Sequence, residues 1–176
     1  MELLIEKMNK LLATSFAFYL KAHNFHWNIK GQDFHQYHDF FGDLYEEVWG
    51  SVDTTAEQIR ALGGKAKGSL TEYKESSTVR DQMTDIGIQE MNAMLYRDND
   101  AVISLLNEVH QEAEKQRAFG LLNYIEGRID THRKHGWMLS ASMDKEVAAP
   151  QPVKEEIKEE VAAPVVRTYI LNPREL

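Results

Sequence analysis

Cysteine is absent from this chain of 176 residues. Its absence excludes a disulfide scaffold, a thiol catalyst and any zinc or iron–sulfur site built on cysteine ligands. The chain also has no excess of basic residues, since 20 Lys and Arg against 28 Asp and Glu give a formal net charge of −8. A chain with this charge does not attract nucleic acid through its average field. Contact with DNA would therefore need a local basic patch.

Long apolar runs are missing as well. No run approaches the roughly 20 residues that a membrane-spanning helix needs. The first residues include the acids Glu2 and Glu6, at a place where a secretory signal would be basic. A reducing compartment also suits a chain without cysteine. We therefore expect a cytoplasmic protein.

Proline is confined to the end of the chain. The four prolines all lie within the last 27 residues, and the preceding 149 residues contain none. So long a stretch without proline is typical of uninterrupted helices. We expect one helical domain over residues 1–144 and a flexible tail rich in Pro, Glu, Lys and Ala over 145–176. The apolar stretch 165–171 is a candidate docking segment, and a disordered end is the alternative.

The spacing of apolar residues predicts four long helices. They should run from the N-terminus to about residue 30, and then over about 33–62, 84–115 and 117–142. The connection over 65–80 is too long for two adjacent antiparallel helices and has room for a short helix. We therefore predict an all-α fold: a four-helix bundle with one long crossover, the ferritin-like arrangement.

Four of the seven histidines cluster between residues 23 and 38. His23 and His26 share one helix face, and His35 and His38 share another, because each pair is three residues apart. Asp53 and Glu57 follow at a spacing of four. Histidine and carboxylate together form a ligand set for iron, manganese or zinc. The alternative is structural: a solvated acidic helix face and a hydrogen-bonded core histidine.

The distance along the second helix decides how such a site would be built. His38 and Asp53 are 15 residues apart, which is about 22 Å at the rise of an α-helix, so one metal cannot touch both. A shared site would need a second copy of the chain, and a two-fold dimer would create two equivalent sites. A di-iron site within one chain is disfavoured, because such bundles use Glu-x-x-His and this sequence contains none.

One set of motifs points to a known family. The chain reads His-Asn-Phe-His-Trp-Asn-Ile-Lys-Gly over 23–31, then has a second histidine at His38, Asp-x-x-x-Glu at 53–57, Leu-Gly-Gly at 62–64 and Lys-His-Gly-Trp-Met-Leu over 134–139. Over roughly residues 5–143 this pattern resembles the Dps family (DNA protection during starvation), the mini-ferritins.

The resemblance implies function as well as fold. It implies a hollow shell of twelve subunits that oxidises Fe(II), preferentially with hydrogen peroxide, and stores the ferric product. The ferroxidase residues, which bind the iron, would be His26 and His38 from one subunit and Asp53 and Glu57 from its two-fold neighbour. Glu57 would lie between two iron positions, His26 and Asp53 would complete the tighter one, and His38 would support the weaker one.

Two departures from the family pattern stand out. Gly42 occupies the position, four residues after the second histidine, where the family usually has an aspartate. The absence of this aspartate should weaken the second iron position and reduce the rate of iron oxidation. Asp39 and His35 are candidates to replace the aspartate as a ligand. The basic N-terminal arm that many relatives use on DNA is also missing. The alternative function is a weakly catalytic shell that acts by binding DNA or by docking its tail to another assembly.

Overall fold

A computed structural model of the chain describes residues 1–81 and 85–143. The described part is helical and contains no strand. Its five helices are α1 (Glu2–Asn28), α2 (Phe34–Ala61), α3 (Leu70–Ser76), α4 (Ile88–Lys115) and α5 (Phe119–Ala141). The predicted bundle of four long helices, with a short helix in the long crossover, is therefore confirmed. The tail over 145–176 and its candidate docking segment lie outside the described residues.

Helix α1 holds the described bundle together. It packs against α2, α4 and the short helix α3, and α4 in turn packs against α5. The side chains between the helices are large and apolar, and Phe18, Phe25 and Phe41 are all fully buried. Burying such side chains supplies most of the stability of an amphipathic bundle. No described helix is both long and apolar enough to cross a membrane.

The turn after α2 ends that helix where the sequence predicts. Gly63 has a φ of +81°, and the Gly64 N–H donates to the Ile59 carbonyl, as in a glycine-terminated helix. A Cβ on Gly64 would lie only 2.6 Å from the Ile5 side chain. A residue without a side chain therefore lets the turn approach the start of α1.

Helix α3 is held by a capping box. The Ser69 hydroxyl accepts from the Glu72 N–H at 3.2 Å, while the Glu72 carboxylate accepts from the Ser69 N–H at 3.1 Å. These bonds satisfy backbone donors that the first turn of a seven-residue helix would otherwise leave unpaired. The crossover is thus an ordered element packed on α1.

The predicted helix ends differ from the observed ones by a few residues. Helix α1 stops at Asn28 because Ile29 turns extended and is buried. Helix α4 begins at Ile88, after an extended Gly87, and α5 begins at Phe119, after Arg117 at a φ of +55°. The backbone conformation of single residues sets these helix ends, and the spacing of apolar residues does not predict that conformation.

Candidate metal centre

His26 and His38 meet where the chain passes from α1 to α2. His26 lies in the last turn of α1 and His38 near the start of α2, and the short connection between them folds the two helices side by side. Their imidazole rings stack with centroids 3.7 Å apart and an interplanar angle of 22°. Both side chains are half-buried. The structure therefore joins two of the four predicted site residues into one pair.

Reciprocal hydrogen bonds to backbone carbonyls hold the Nδ1 atoms of this pair. The His26 Nδ1–H donates to the His38 carbonyl at 2.7 Å, and the His38 Nδ1–H donates to the His26 carbonyl at 3.0 Å. A carbonyl oxygen only accepts, so both rings carry their proton on Nδ1. Nε2 is therefore the ring nitrogen through which each histidine could bind a metal.

Gly42 lies directly beside this pair. A Cβ built on Gly42 would be 3.5 Å from both Nδ1 and Cε1 of His26, which is an ordinary contact distance. The position where the family pattern has a carboxylate thus faces the His26 ring and has room for a side chain. Asp43, one residue further on, is exposed. Successive residues of an α-helix point about 100° apart, so Asp43 lies on a different face of the helix from Gly42.

Asp53 and Glu57 lie far from the histidine pair within one chain. Both belong to the unbroken helix α2 and are exposed. The helix separates His38 from Asp53 by about 22 Å. Among residues 1–81 and 85–143, no three His, Asp or Glu side chains lie close enough together to hold a metal. The candidate replacements His35 and Asp39 are both exposed as well.

An aromatic cluster surrounds the exposed side of the pair. The Tyr45 ring is 5.2 Å from the His26 ring and stacks on His23 at 3.9 Å. His23 is 4.0 Å from Trp27, and Tyr19 is 6.2 Å from Tyr45. We call these residues, together with Trp49, the aromatic cluster. The cluster extends from the histidine pair to the protein surface.

Trp49 and Trp27 form the outer ends of this aromatic cluster. The Trp49 ring lies 4.9 Å from Tyr19. Trp27 and Trp49 are 60% and 53% exposed. Partial burial, and then the nearby Glu46 carboxylate, raise the pKa of Tyr45, while burial and the neighbouring His26 lower the pKa of His23. Tyr45 is therefore a neutral phenol at neutral pH.

A second histidine lies in a polar network inside the bundle. His132, on α5, is 1% exposed, and its Nδ1–H donates to the Asn99 side-chain oxygen at 2.8 Å. Its Nε2 accepts from Arg128 at 3.1 Å. Arg128 also donates twice to the Glu47 carboxylate. Burial, and then the Arg128 charge, lower the pKa of His132 well below its usual value, so the ring is neutral.

His135 lies one turn further along α5, beside the same network. It is 8% exposed, its Nε2 is 3.7 Å from Glu47, and its Nδ1 has no hydrogen-bond partner. Burial lowers the pKa of His135 to about 4, although the Glu47 carboxylate opposes the shift. Both histidines therefore lie beside the ion pair of Arg128 and Glu47.

Sequence reasoning missed both the aromatic cluster and this polar network. The cluster had a signal, because Tyr19, His23 and Trp27 are spaced by four, as are Tyr45 and Trp49. Residues at that spacing share a helix face. The network had no comparable signal, because Glu47, Asn99 and Arg128 come from three separate helices.

Comparison with known proteins identifies the family. A family model described as a ferritin-like domain matches residues 5–147. The DNA protection during starvation protein of Brevibacillus brevis is 30% identical over 140 residues, which are 78% of this chain and 92% of that protein. General stress protein 20U of Bacillus subtilis is 32% identical over 143 residues, covering 80% and 97%.

Solved structures agree with the sequence comparison. The crystal structure of Dps from Staphylococcus aureus matches with a TM-score of 0.77 at 30% identity, over 80% of this chain and 95% of that one. A Dps structure from Bacillus brevis matches with the same TM-score at 27% identity, over 80% and 94%. The chain belongs to the Dps family of ferritin-like proteins.

Proposed function

We propose that this protein is a ferroxidase whose substrate, Fe(II), is oxidised by hydrogen peroxide at sites shared between two copies of the chain. The ferric product is then stored inside a shell of twelve subunits. The single observation that carries the proposal is the His26–His38 pair, whose Nδ1 protons are both held by backbone carbonyls. Family membership and the names of the stress-related relatives support the same function.

The histidine pair supplies half of an iron site. The stacked rings hold two Nε2 atoms close together, and neutral imidazole nitrogens of this kind bind divalent ions. Imidazole suits Fe(II), and a carboxylate stabilises the Fe(III) that forms. The pair therefore needs carboxylates, which its own chain does not place beside it.

A second copy supplies the other half. Asp53 and Glu57 are exposed on α2, the helix that also carries His38. A two-fold axis that lays α2 of one copy antiparallel to α2 of its neighbour brings the carboxylates of each to the histidines of the other. In this arrangement His26 and Asp53 hold the tighter position and Glu57 lies towards the second one.

The shared site controls where the oxidation takes place. Fe(II) loses an electron more readily when carboxylates stabilise the higher charge of Fe(III). Peroxide takes up two electrons, and two irons held together provide both without releasing a hydroxyl radical. Removing Fe(II) and peroxide in one reaction would protect a cell from the products of their free encounter.

Gly42 makes the second iron position weak. The family's aspartate is absent, and a side chain at position 42 would face His26. With one carboxylate fewer, the second Fe(II) binds less tightly than the first. We therefore expect sites that hold one iron at low Fe(II) concentration and two only at high concentration.

DNA binding is not part of this proposal. The formal net charge of −8 opposes approach to DNA at ordinary salt. Helix α1 begins at Glu2, and its first turn carries this acidic residue. Docking through residues 145–176 has no support in the described residues, and it stays the alternative to be tested if oxidation fails.

Anaerobic loading of Fe(II) followed by rapid mixing with hydrogen peroxide tests the proposal. The wild-type shell should form ferric iron, read by its absorbance, much faster than buffer alone. A His26→Ala/Asp53→Ala double variant should lose this acceleration, because it lacks one ligand from each half of the site. Gly127→Ala is a matched control, since Gly127 lies on α5 with open space around it.

An intact shell that oxidises Fe(II) no faster than buffer would contradict the proposal. Equal rates in the wild type and the double variant would also contradict it. Size-exclusion chromatography of each variant shows whether a lost rate comes from lost assembly.

A further inference from the structure

The inner face of α2 lies directly behind the two proposed carboxylate ligands. Asp53 and Glu57 are exposed on this helix. Thr55, midway between them in sequence, is only 2% exposed. Successive residues of an α-helix point about 100° apart, so Thr55 faces the side of α2 opposite to both carboxylates. A group that binds Thr55 can therefore hold this part of α2 without touching the metal.

The Tyr124 side chain of α5 contacts this inner face. Its hydroxyl lies 2.6 Å from the Thr55 hydroxyl and 3.1 Å from the Ser51 carbonyl, and Thr55 is 2.8 Å from that carbonyl. If Tyr124 donates to Thr55, then Thr55 donates to the Ser51 carbonyl. In the opposite arrangement, Tyr124 donates to the carbonyl itself. Burial raises the pKa of Tyr124, so the hydroxyl has a proton to donate at neutral pH, and both arrangements join it to the backbone of α2.

Hydroxyl groups bond the backbone of α2 along this segment. The Ser51 hydroxyl donates to the Val48 carbonyl at 2.7 Å, and the Thr55 hydroxyl lies within hydrogen-bond distance of the Ser51 carbonyl. Hydroxyls that donate to a carbonyl of the preceding turn often bend a helix. The direction of α2 at Asp53 therefore depends on how these hydroxyls are bonded, and α5 supplies Tyr124 as their partner.

A second polar contact joins the same two helices. Arg128, one turn after Tyr124 on α5, donates twice to Glu47, which lies one turn before Ser51 on α2. Residues four apart share a helix face, so the two contacts lie along one line between α2 and α5. Arg128 fixes α5 against α2, and Tyr124 then holds the segment that carries the carboxylates.

We propose that Tyr124 is a positioning residue for the carboxylate half of the iron site. By holding the inner face of α2, it sets the direction in which Asp53 and Glu57 reach the histidines of the neighbouring copy. This inference rests on the proposed ferroxidase function, because it requires that the two carboxylates bind iron. It gives α5, which carries none of the four proposed ligands, a part in metal binding.

Anaerobic titration of the assembled shell with Co(II), a redox-stable probe, tests this role. Tyr124→Phe keeps the ring and removes the hydroxyl. It should weaken Co(II) binding about fivefold, somewhat less than the loss on removing a group bonded directly to a ligand. It should also change the intensity of the visible Co(II) absorption bands, which report coordination geometry. Thr55→Val should have the same effects, whereas Thr55→Ser keeps the hydroxyl and should bind Co(II) as the wild type does.

Thr14→Val is the matched control for Thr55→Val. Thr14 is 0% exposed on α1, and its hydroxyl accepts from the Thr78 N–H at 3.2 Å. This variant therefore also loses a buried hydroxyl whose partner lies outside its helix. Thermal unfolding should show a loss of stability in both valine variants, while Co(II) binding should weaken only in Thr55→Val. Equal losses of Co(II) affinity in the two variants would overturn the positioning role.

Removing the carboxylates shows whether Tyr124 acts through them. In an Asp53→Ala/Glu57→Ala shell, adding Tyr124→Phe should weaken the residual Co(II) binding by less than about twofold, because the groups it positions are gone. A full fivefold loss in that background would overturn the role of Tyr124. So would unchanged Co(II) binding in Tyr124→Phe beside fast peroxide-driven oxidation in the wild type, which would leave the ferroxidase function standing. Wild-type oxidation no faster than in buffer would overturn both proposals.

Discussion

His26 and His38 lie at the edge of the bundle and are half-buried, whereas His132 and His135 lie inside it beside an arginine. The first pair is half-buried and bonds only backbone carbonyls through Nδ1. In the second pair, the Nε2 of His132 accepts from Arg128, and the nearby Glu47 carboxylate is already paired with that same arginine. An arginine therefore occupies the Nε2 of His132, whereas the hydrogen bonds of the first pair use Nδ1.

The difference shows what separates a metal-binding histidine from a structural one. In the interior, the permanently charged Arg128 guanidinium pairs with the Glu47 carboxylate and donates to the His132 Nε2. At the edge, the backbone satisfies Nδ1 and leaves Nε2 for a ligand. Each pair contains two histidines, so histidine content alone does not distinguish them, and the partner of each nitrogen decides the role.

Acid should affect the interior pair most. Burial lowers the folded-state pKa of His135 to about 4, while an unfolded histidine titrates near 6.5. Between these values the unfolded state binds the proton and the folded state does not. Stability is therefore fully present above about pH 6.5 and falls by about 3 kcal/mol as the pH drops towards 4. Urea unfolding as a function of pH measures this loss. His135→Leu should reduce the loss of stability in acid, with the part due to the buried His132 remaining, and the exposed His35→Leu is the control.

Breaking the interior ion pair should give the next largest effect. Arg128→Met leaves the Glu47 carboxylate and the His132 Nε2 without their donor. We expect a loss of about 2 kcal/mol, less than for a fully buried pair because the Glu47 side chain is 34% exposed. Thermal unfolding checks this value. Arg133→Met, at an exposed arginine of the same helix, should change stability by less than about 0.5 kcal/mol. Equal losses in the two variants would contradict the structural role given to the network.

Filling the gap beside the edge pair should strengthen metal binding. Gly42→Asp places a carboxylate next to His26, where a Cβ meets only ordinary contacts. We expect the second metal position to gain about tenfold in affinity, or about 1.4 kcal/mol. Anaerobic calorimetry with Fe(II), or with Co(II) as a redox-stable probe, measures it. Gly127→Asp puts the same residue on α5, at a glycine with open space around it, and should show no gain. A similar gain in both variants would mean that general charge, not position 42, is responsible.

The smallest effect should come from the other candidate ligands near the edge pair. His35 and Asp39 are exposed and are not gathered with His26 and His38 into a metal-binding group. His35→Ala and Asp39→Ala should each change the rate of peroxide-driven Fe(II) oxidation by less than about twofold, within the range of surface substitutions. A loss comparable to that of His38→Ala would show that one of them replaces the missing aspartate.

Much of the fold could be predicted from the sequence, for reasons visible in particular residues. The 149 residues without proline and the apolar spacing predict the four long helices, and Gly63–Gly64 predicts the end of the second one. The other helix ends differ from the predicted ones by a few residues because of the backbone conformations of Ile29, Gly87 and Arg117. The local sequence pattern therefore predicts where the helices lie better than it predicts where they end.

The site was predictable in part. The spacing of His38 and Asp53 along one helix already requires a second copy if both bind the same metal, and the unbroken α2 agrees with that premise. The Nδ1 bonds from each histidine to the other's carbonyl were not predictable, because they depend on how α1 and α2 pack. The orientation of position 42 towards His26 likewise needed the packed structure.

Subunit complementation tests the central claim most directly. Shells of His26→Ala alone and of Asp53→Ala alone should both oxidise Fe(II) with peroxide as slowly as buffer. Shells assembled from an equal mixture of the two chains should recover roughly a quarter of the wild-type sites, because each mixed two-fold pair contains one site with all its ligands. Recovered oxidation in the mixed shells is the result that the account predicts. Mixed shells as inactive as either variant would contradict a site shared between two copies.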